Sequence, residues 1–99
     1  MITKSFSKTG RACRVTFKLS PEESQAKAVA VLGDWNEWNP KTDKLVRRKD
    51  GSFSATVSMP AGQEYRFRYL LDNKRWANDA KADREEPNLF GTLDSVLAL

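Results

Sequence analysis

Three tryptophans carry the most recognisable chemistry in this chain: Trp35 and Trp38, three residues apart, and Trp76 much farther on. An indole offers a broad apolar face that stacks well on flat, C–H-rich partners, which include pyranose rings and nucleobases. Trp35 and Trp38 sit in Val31-Leu32-Gly33-Asp34-Trp35-Asn36-Glu37-Trp38-Asn39-Pro40. There an apolar strand gives way to a turn, punctuated by Gly33-Asp34 and closed by Asn39-Pro40. Such a segment buries few aromatic residues, so the two indoles are expected to divide their roles. Trp35, nearer the strand end, should anchor in the core. Trp38 should present its face to a ligand, beside a matching face at Trp76. If the ligand is a sugar, its hydroxyls also need amide, carboxylate or guanidinium partners, and Arg68 and Asn36 are candidates.

Few other chemistries are open to these residues. There is no histidine, which removes the commonest general base and the commonest transition-metal ligand together. Cys13 is the only cysteine, so no intrachain disulfide forms and a structural zinc site is out. No Gly-rich phosphate loop and no Gly-x-Ser-x-Gly elbow occurs. Asp79, Asp83, Glu85 and Glu86 fall close together, and a carboxylate pair is what a glycosidase uses. They lie in a polar stretch with no apolar setting to raise one pKa, and they read as a solvated surface. The spacing of an EF-hand is absent. A catalyst is not expected, nor a cofactor or a metal.

These residues are positioned by elements that alternate with period two rather than with helical period. Val15, Phe17 and Leu19 share one face of a strand over 14–19, and Cys13 just before it continues the alternation, which makes Cys13 a small buried hydrophobe. Ser20-Pro21-Glu22-Glu23-Ser24 reads as a polar turn or one helical turn, since Pro followed by acidic residues suits a helix start. Residues 27–32 form a second strand, apolar enough to be central. Residues 44–48 suit an edge strand, and Asp50-Gly51 after it is a strong hairpin signal. Phe53, Ala55, Val57 and Met59 then alternate inward, and Pro60-Ala61-Gly62 turns the chain. In the next strand Tyr65, Phe67, Tyr69 and Leu71 face one way and Arg66, Arg68 and Leu70 the other. Asp72-Asn73-Lys74-Arg75 makes a turn before Trp76. Residues 78–88 read as a surface loop, and a last strand spans about 95–99. About seven short strands with turns between them make an all-β antiparallel sandwich.

With 99 residues there is room for one domain. Its core is expected over about 13–99, with 1–12 as an N-terminal extension. Seventeen basic and 13 acidic residues give +4, with the signs interspersed rather than grouped in the basic stripe typical of nucleic-acid binders. The N-terminal stretch has no apolar h-region or cleavage site. No apolar run approaches the roughly 20 residues a membrane span needs. A reducing cytoplasm is the simplest setting for such a chain.

Several of these stretches, taken in order, resemble one family. They are Gly33-Asp34-Trp35-Asn36-Glu37-Trp38-Asn39-Pro40; Asp50-Gly51-Ser52-Phe53; Tyr65-Arg66-Phe67-Arg68-Tyr69-Leu70-Leu71-Asp72 with Trp76-Ala77-Asn78-Asp79; and Pro87-Asn88 with Gly91. The family is the isoamylase early-set, or glycogen-binding, module (carbohydrate-binding module family 48). Its members precede α-glucan branching and debranching enzymes, and one lies in the β subunit of AMP-activated protein kinase. The resemblance covers about 13–99. It implies an immunoglobulin-like sandwich that binds α-1,4-linked glucans of the glycogen or starch kind, as polymer or maltooligosaccharide. Carried over residue by residue, it implies that Trp38, Trp76, Arg68, Phe90, Thr92 and Asp94 contact the sugar, and that Trp35 is structural. The turn before Trp76 is one residue longer than in kinase-type modules. Asp94 stands where those carry an asparagine, so it accepts hydrogen bonds but cannot donate them.

The resemblance implies a free-standing, non-catalytic glucan-binding module. A docking module for a glucan-metabolising enzyme, or one that self-associates, is the alternative reading. Binding of single-stranded nucleic acid is a third, because aromatic platforms among Arg and Lys suit it too.

Overall fold

The computed structural model describes all 99 residues. Nine strands form two antiparallel sheets packed face to face as an immunoglobulin-like sandwich. They are β1 (Ile2–Phe6), β2 (Ala12–Leu19), β3 (Val29–Gly33), β4 (Val46–Arg47), β5 (Phe53–Pro60), β6 (Glu64–Leu71), β7 (Arg75–Ala77), β8 (Arg84–Pro87) and β9 (Leu93–Ala98). One sheet has the order β1-β2-β5-β4; the other has the order β3-β6-β9-β8, with β7 also paired to β6.

Alternation decides which side chains enter the core. Cys13, Val15, Phe17 and Leu19 of β2 are buried, as are Tyr65, Phe67, Tyr69 and Leu71 of β6. Between the sheets, Phe17 stacks on Trp35 with ring centres 5.5 Å apart and meets Phe67 edge-on at 5.3 Å. Such aromatic pairs contribute about 0.5–1.5 kcal/mol each beyond their buried area. Trp35 thus takes the expected core role.

A four-residue helix, α1 (Pro21–Ser24), follows β2. The Ser20 hydroxyl accepts from Glu23 N at 3.1 Å, and the Glu23 carboxylate accepts from Ser20 N at 2.9 Å. This reciprocal cap satisfies donors that a helix start leaves open. At Asp50-Gly51, Gly51 takes φ +86° and the turn joins β4 to β5.

The expectations differ from the fold in four places. The stretch before Cys13 contains β1, paired along its length to β2 from Ile2↔Phe17 to Phe6↔Cys13. The polar stretch taken for a loop contains β8, paired to β9. β3 lies at the end of its sheet rather than in the middle. Its outer edge is still covered, because Val31 N donates to Asp43 O and Leu45 N donates to Val29 O, both at 2.9 Å. Both faces of β3 are therefore buried, which explains why it reads as central. Finally, Arg75, read as the end of a turn, opens a short strand with Trp76 and Ala77, β7.

Candidate functional site

The outward positions of β6 are Arg66, Arg68 and Leu70, and they form the floor on which the site is built. Each of the three loops or strands around that floor is held by its own local bonds.

Trp38 is delivered by a tight 3₁₀ turn, Asp34–Asn36, directly after β3. Asn36 shapes that turn: its amide nitrogen donates to Val31 O at 3.0 Å and to the Asp43 carboxylate at 2.8 Å, and its oxygen accepts from Gly33 N at 3.0 Å. These bonds occupy Asn36 as a structural residue, so it is not the sugar partner expected from its type. Glu37 and Trp38 then adopt left-handed backbone, φ +56° and +58°, a conformation that costs non-glycine residues energy and is held here by its surroundings. The Trp38 indole N–H donates to Asp34 Oδ1 at 3.2 Å, and Asp34 Oδ2 accepts from Arg66 N at 2.8 Å.

Trp76 is positioned by the β6–β7 turn. Asp72 and Asn73 both have positive φ, +53° and +56°, and Lys74 N donates to Leu71 O at 3.0 Å. The Asp72 carboxylate pins this turn to the segment before β3, accepting from Lys27 N at 2.9 Å and Ala28 N at 3.0 Å. Those backbone bonds hold its pKa below the ordinary carboxylate value. Trp76 lies across from Leu70 and is 46% exposed. The Arg68 guanidinium carbon sits 4.9 Å from the centre of its ring, within the range of a cation–π contact. No carboxylate pairs with Arg68, and its buried Nε has no hydrogen-bond partner.

The third wall is the loop between β8 and β9, organised by Asn88. Its side-chain oxygen accepts from Phe90 N at 2.9 Å and Thr92 N at 3.2 Å. Its nitrogen donates to Thr92 Oγ1 at 2.8 Å and to Asp94 Oδ1 at 3.0 Å. With the loop so braced, Leu89 and Phe90 stand almost wholly in water, 100% and 90% exposed. Asp94 is buried and also accepts from Arg66 Nη1 at 3.3 Å.

Together these walls bound an open groove of about 790 Å³ whose lining includes Trp38, Arg68, Trp76, Phe90, Thr92 and Asp94. All six residues carried over from the resemblance line one depression. Asp34, Arg66 and Asn88 line it too. Composition gives no sign of their part, although Arg66 shares an outward face with Arg68 and Asn88 precedes the Gly91 turn. The volume falls within the roughly 300–1,000 Å³ typical of small-ligand clefts.

Within the acidic stretch Asp83 and Glu85 lie at the surface as expected, and Asp79 departs from that reading. Asp79 is 2% exposed and accepts from the Tyr69 hydroxyl at 2.7 Å. Burial is the main cause raising the pKa of that phenol, with the Asp79 charge beside it adding to the effect. Asp83 pairs with Lys4 at 2.8 Å, and Glu86 pairs with Arg66 at 2.8 Å. Nowhere do three or more Cys, Asp or Glu side chains gather where a metal ion would be held.

Fold and groove together define a small β-sandwich module with an aromatic-walled groove on one face. The chain belongs to the family described as the glycogen recognition site of AMP-activated protein kinase, whose model matches residues 15–96. That family is one of non-catalytic carbohydrate-recognition modules. No curated protein matches the chain. No helix is long and apolar enough to cross a membrane.

Proposed function

We propose that this module binds α-1,4-linked glucan of the glycogen or starch type in the groove on the outer face of β6. Two successive glucose rings stack on Trp38 and Trp76. Arg68 donates to hydroxyl edges, and the Asp94 oxygens and the Thr92 hydroxyl serve as further partners. Phe90 covers the ligand from the loop between β8 and β9. The observation that carries this reading is the convergence of two indoles from distant parts of the chain, the half-buried Trp38 and the exposed Trp76, on one groove that holds a guanidinium with no carboxylate partner. Stacking on an aromatic side chain is worth about 1–3 kcal/mol per nucleobase, and that figure serves as a scale for sugar rings. Two such contacts, less ordering costs, place the affinity in the micromolar to millimolar range. Weak sites suffice for a polymer that offers many at once.

Calorimetric titration with β-cyclodextrin and maltoheptaose tests the assignment. Trp38→Ala and Trp76→Ala are each expected to abolish measurable binding while the unfolding transition stays cooperative. Native-like affinity in both variants would move the site elsewhere. Sugar binding should barely respond to salt, whereas a steep loss between about 50 and 200 mM salt would point to nucleic acid.

A second reading is supported by the near-complete exposure of Leu89 and Phe90 at the groove rim. The same rim would then dock on a glucan-metabolising enzyme. Co-migration with such an enzyme in glucan-free lysate, lost on Phe90→Ser, would favour it.

A further inference from the structure

We propose that Arg66 is a positioning residue that braces the Trp38 wall and the Phe90 wall of the groove into one preorganised unit. This rests on the glucan-binding reading above. Position 66 reaches both walls, the Trp38 wall through its main chain and the Phe90 wall through the guanidinium. Its backbone N–H holds Asp34 Oδ2 at 2.8 Å, and the other Asp34 oxygen holds the Trp38 indole N–H at 3.2 Å. Its guanidinium reaches the opposite wall, with Nη2 on Glu86 at 2.8 Å and Nη1 on Pro87 O at 3.2 Å and on Asp94 at 3.3 Å. Asp94 in turn holds Asn88 at 3.0 Å, and Asn88 fixes the Phe90 and Thr92 amides. A continuous chain of hydrogen bonds thus runs from Trp38 through Asp34, Arg66, Asp94 and Asn88 to Phe90.

The two outward arginines of β6 therefore have different employment. Arg68 has no carboxylate and lies on Trp76, free to meet a ligand. Arg66 is committed to Glu86, Asp94 and a backbone carbonyl, so its charge is already answered by the protein. Its effect on a ligand comes through the walls it holds. The Phe90 loop needs such support, because Leu89 and Phe90 have no packing of their own. Holding the loop in its bound shape before the ligand arrives lowers the ordering cost of binding.

The test pairs loop order in the free protein with affinity. Amide ¹⁵N relaxation over 88–92 and the Trp38 indole N–H signal are recorded without ligand for the native protein, Arg66→Met and Asn88→Asp. Affinity for β-cyclodextrin is then measured on the same samples. Arg66→Met keeps much of the length of the side chain and loses the guanidinium bonds to Glu86, Pro87 and Asp94. Its backbone N–H still holds Asp34, so the Trp38 indole signal should stay as in the native protein. Asn88→Asp loses both amide donors and sets a carboxylate beside Asp94. Both should make the 88–92 amides more mobile and weaken binding about tenfold, chiefly through faster dissociation, and Arg66→Lys should recover part of each loss. Should Arg66→Met fail to fold, Arg66→Lys, whose single ammonium cannot hold Glu86, Pro87 O and Asp94 as the guanidinium does, carries the comparison.

Loop order unchanged in the variants would overturn the proposal. So would an affinity that falls while the loop stays as ordered as in the native protein, since Arg66 would then touch the sugar itself. If the native protein binds no glucan, the functional reading fails, and the relaxation data still decide the brace.

Discussion

Gly33 shows how closely the Trp38 wall is built onto the core. A Cβ at this position would lie 2.3 Å from Trp35 Cζ3 and 2.7 Å from Arg66 O. The Trp35 ring is itself stacked on Phe17 and bonded through Nε1 to the Asp43 carboxylate at 2.9 Å, so it cannot retreat easily. Gly33→Ala is therefore expected to destabilise the fold by about 1–3 kcal/mol, the usual cost of overpacking. An unchanged urea midpoint would show that Trp35 yields freely. The division of roles between Trp35 and Trp38 is legible in their order along the chain, because the first follows a buried strand directly. Asp79 is not legible that way. Its burial depends on partners distant in sequence: the Tyr69 hydroxyl, the Met1 ammonium at 3.2 Å and Ser95, whose hydroxyl accepts from Asp79 N at 3.1 Å and donates to Asn78 Oδ1 at 2.8 Å.

Among the elements, strands that bury one face announce themselves, and strands that do not stay hidden. β2, β5 and β6 alternate apolar and polar side chains because they line the core. β8 reads Arg-Glu-Glu-Pro because its outward side chains pair in ions instead: Arg84 with Glu64 at 2.6 Å and Glu86 with Arg66. β1 is short and half-exposed, so Ile2 and Phe6 give too weak a pattern to mark it. The six residues that line the groove are those the family resemblance implies, but the braces between them are polar groups whose partners are set by sheet register. The β6–β7 turn carries a prediction of its own. Asp72→Ala removes the acceptor for two backbone N–H groups and leaves Asn73 as the one remaining side chain suited to left-handed backbone there. Thermal unfolding should shift down by roughly a few degrees, and glucan affinity should weaken as Trp76 loses its mounting. Unaltered affinity would separate the turn from the site.

For the molecule as a whole, acid sensitivity follows from carboxylates whose pKa values lie below their ordinary 3.8 (Asp) or 4.5 (Glu). Asp50 is lowered by the Ser52 hydroxyl and N–H, Glu64 by Arg84 and Asp72 by the Lys27 and Ala28 amides. For Asp83 burial acts upward, but the Ala98 amide and Lys4 together outweigh it. A depressed folded pKa gives stability that is present above the unfolded value and lost as pH falls through the folded one. Urea midpoints should hold steady from about pH 7 to about pH 5 and drop below about pH 4. At the other extreme, burial raises the Tyr65 and Tyr69 hydroxyls above their ordinary 10.0. Their contribution is full below that value and is lost as pH rises toward the elevated ones. A midpoint that is flat in acid would mean these carboxylates keep the same partners in the unfolded chain.

The outer strands also differ in how well they resist added chains. β4 is two residues long, β3 is sealed by the 43–45 segment, β7 has three residues and β8 is charged and ends in proline. β1 has an unpaired outer edge along its five residues, with Phe6 half in water beside it, and it lies ahead of the 15–96 stretch that the family shares; β5 beyond Ser54 is likewise unpaired on the side away from β2. Strand addition thus has two open edges in the same sheet, and a single charged residue or proline on the outer side of β1 would close the one whose end carries the water-facing Phe6.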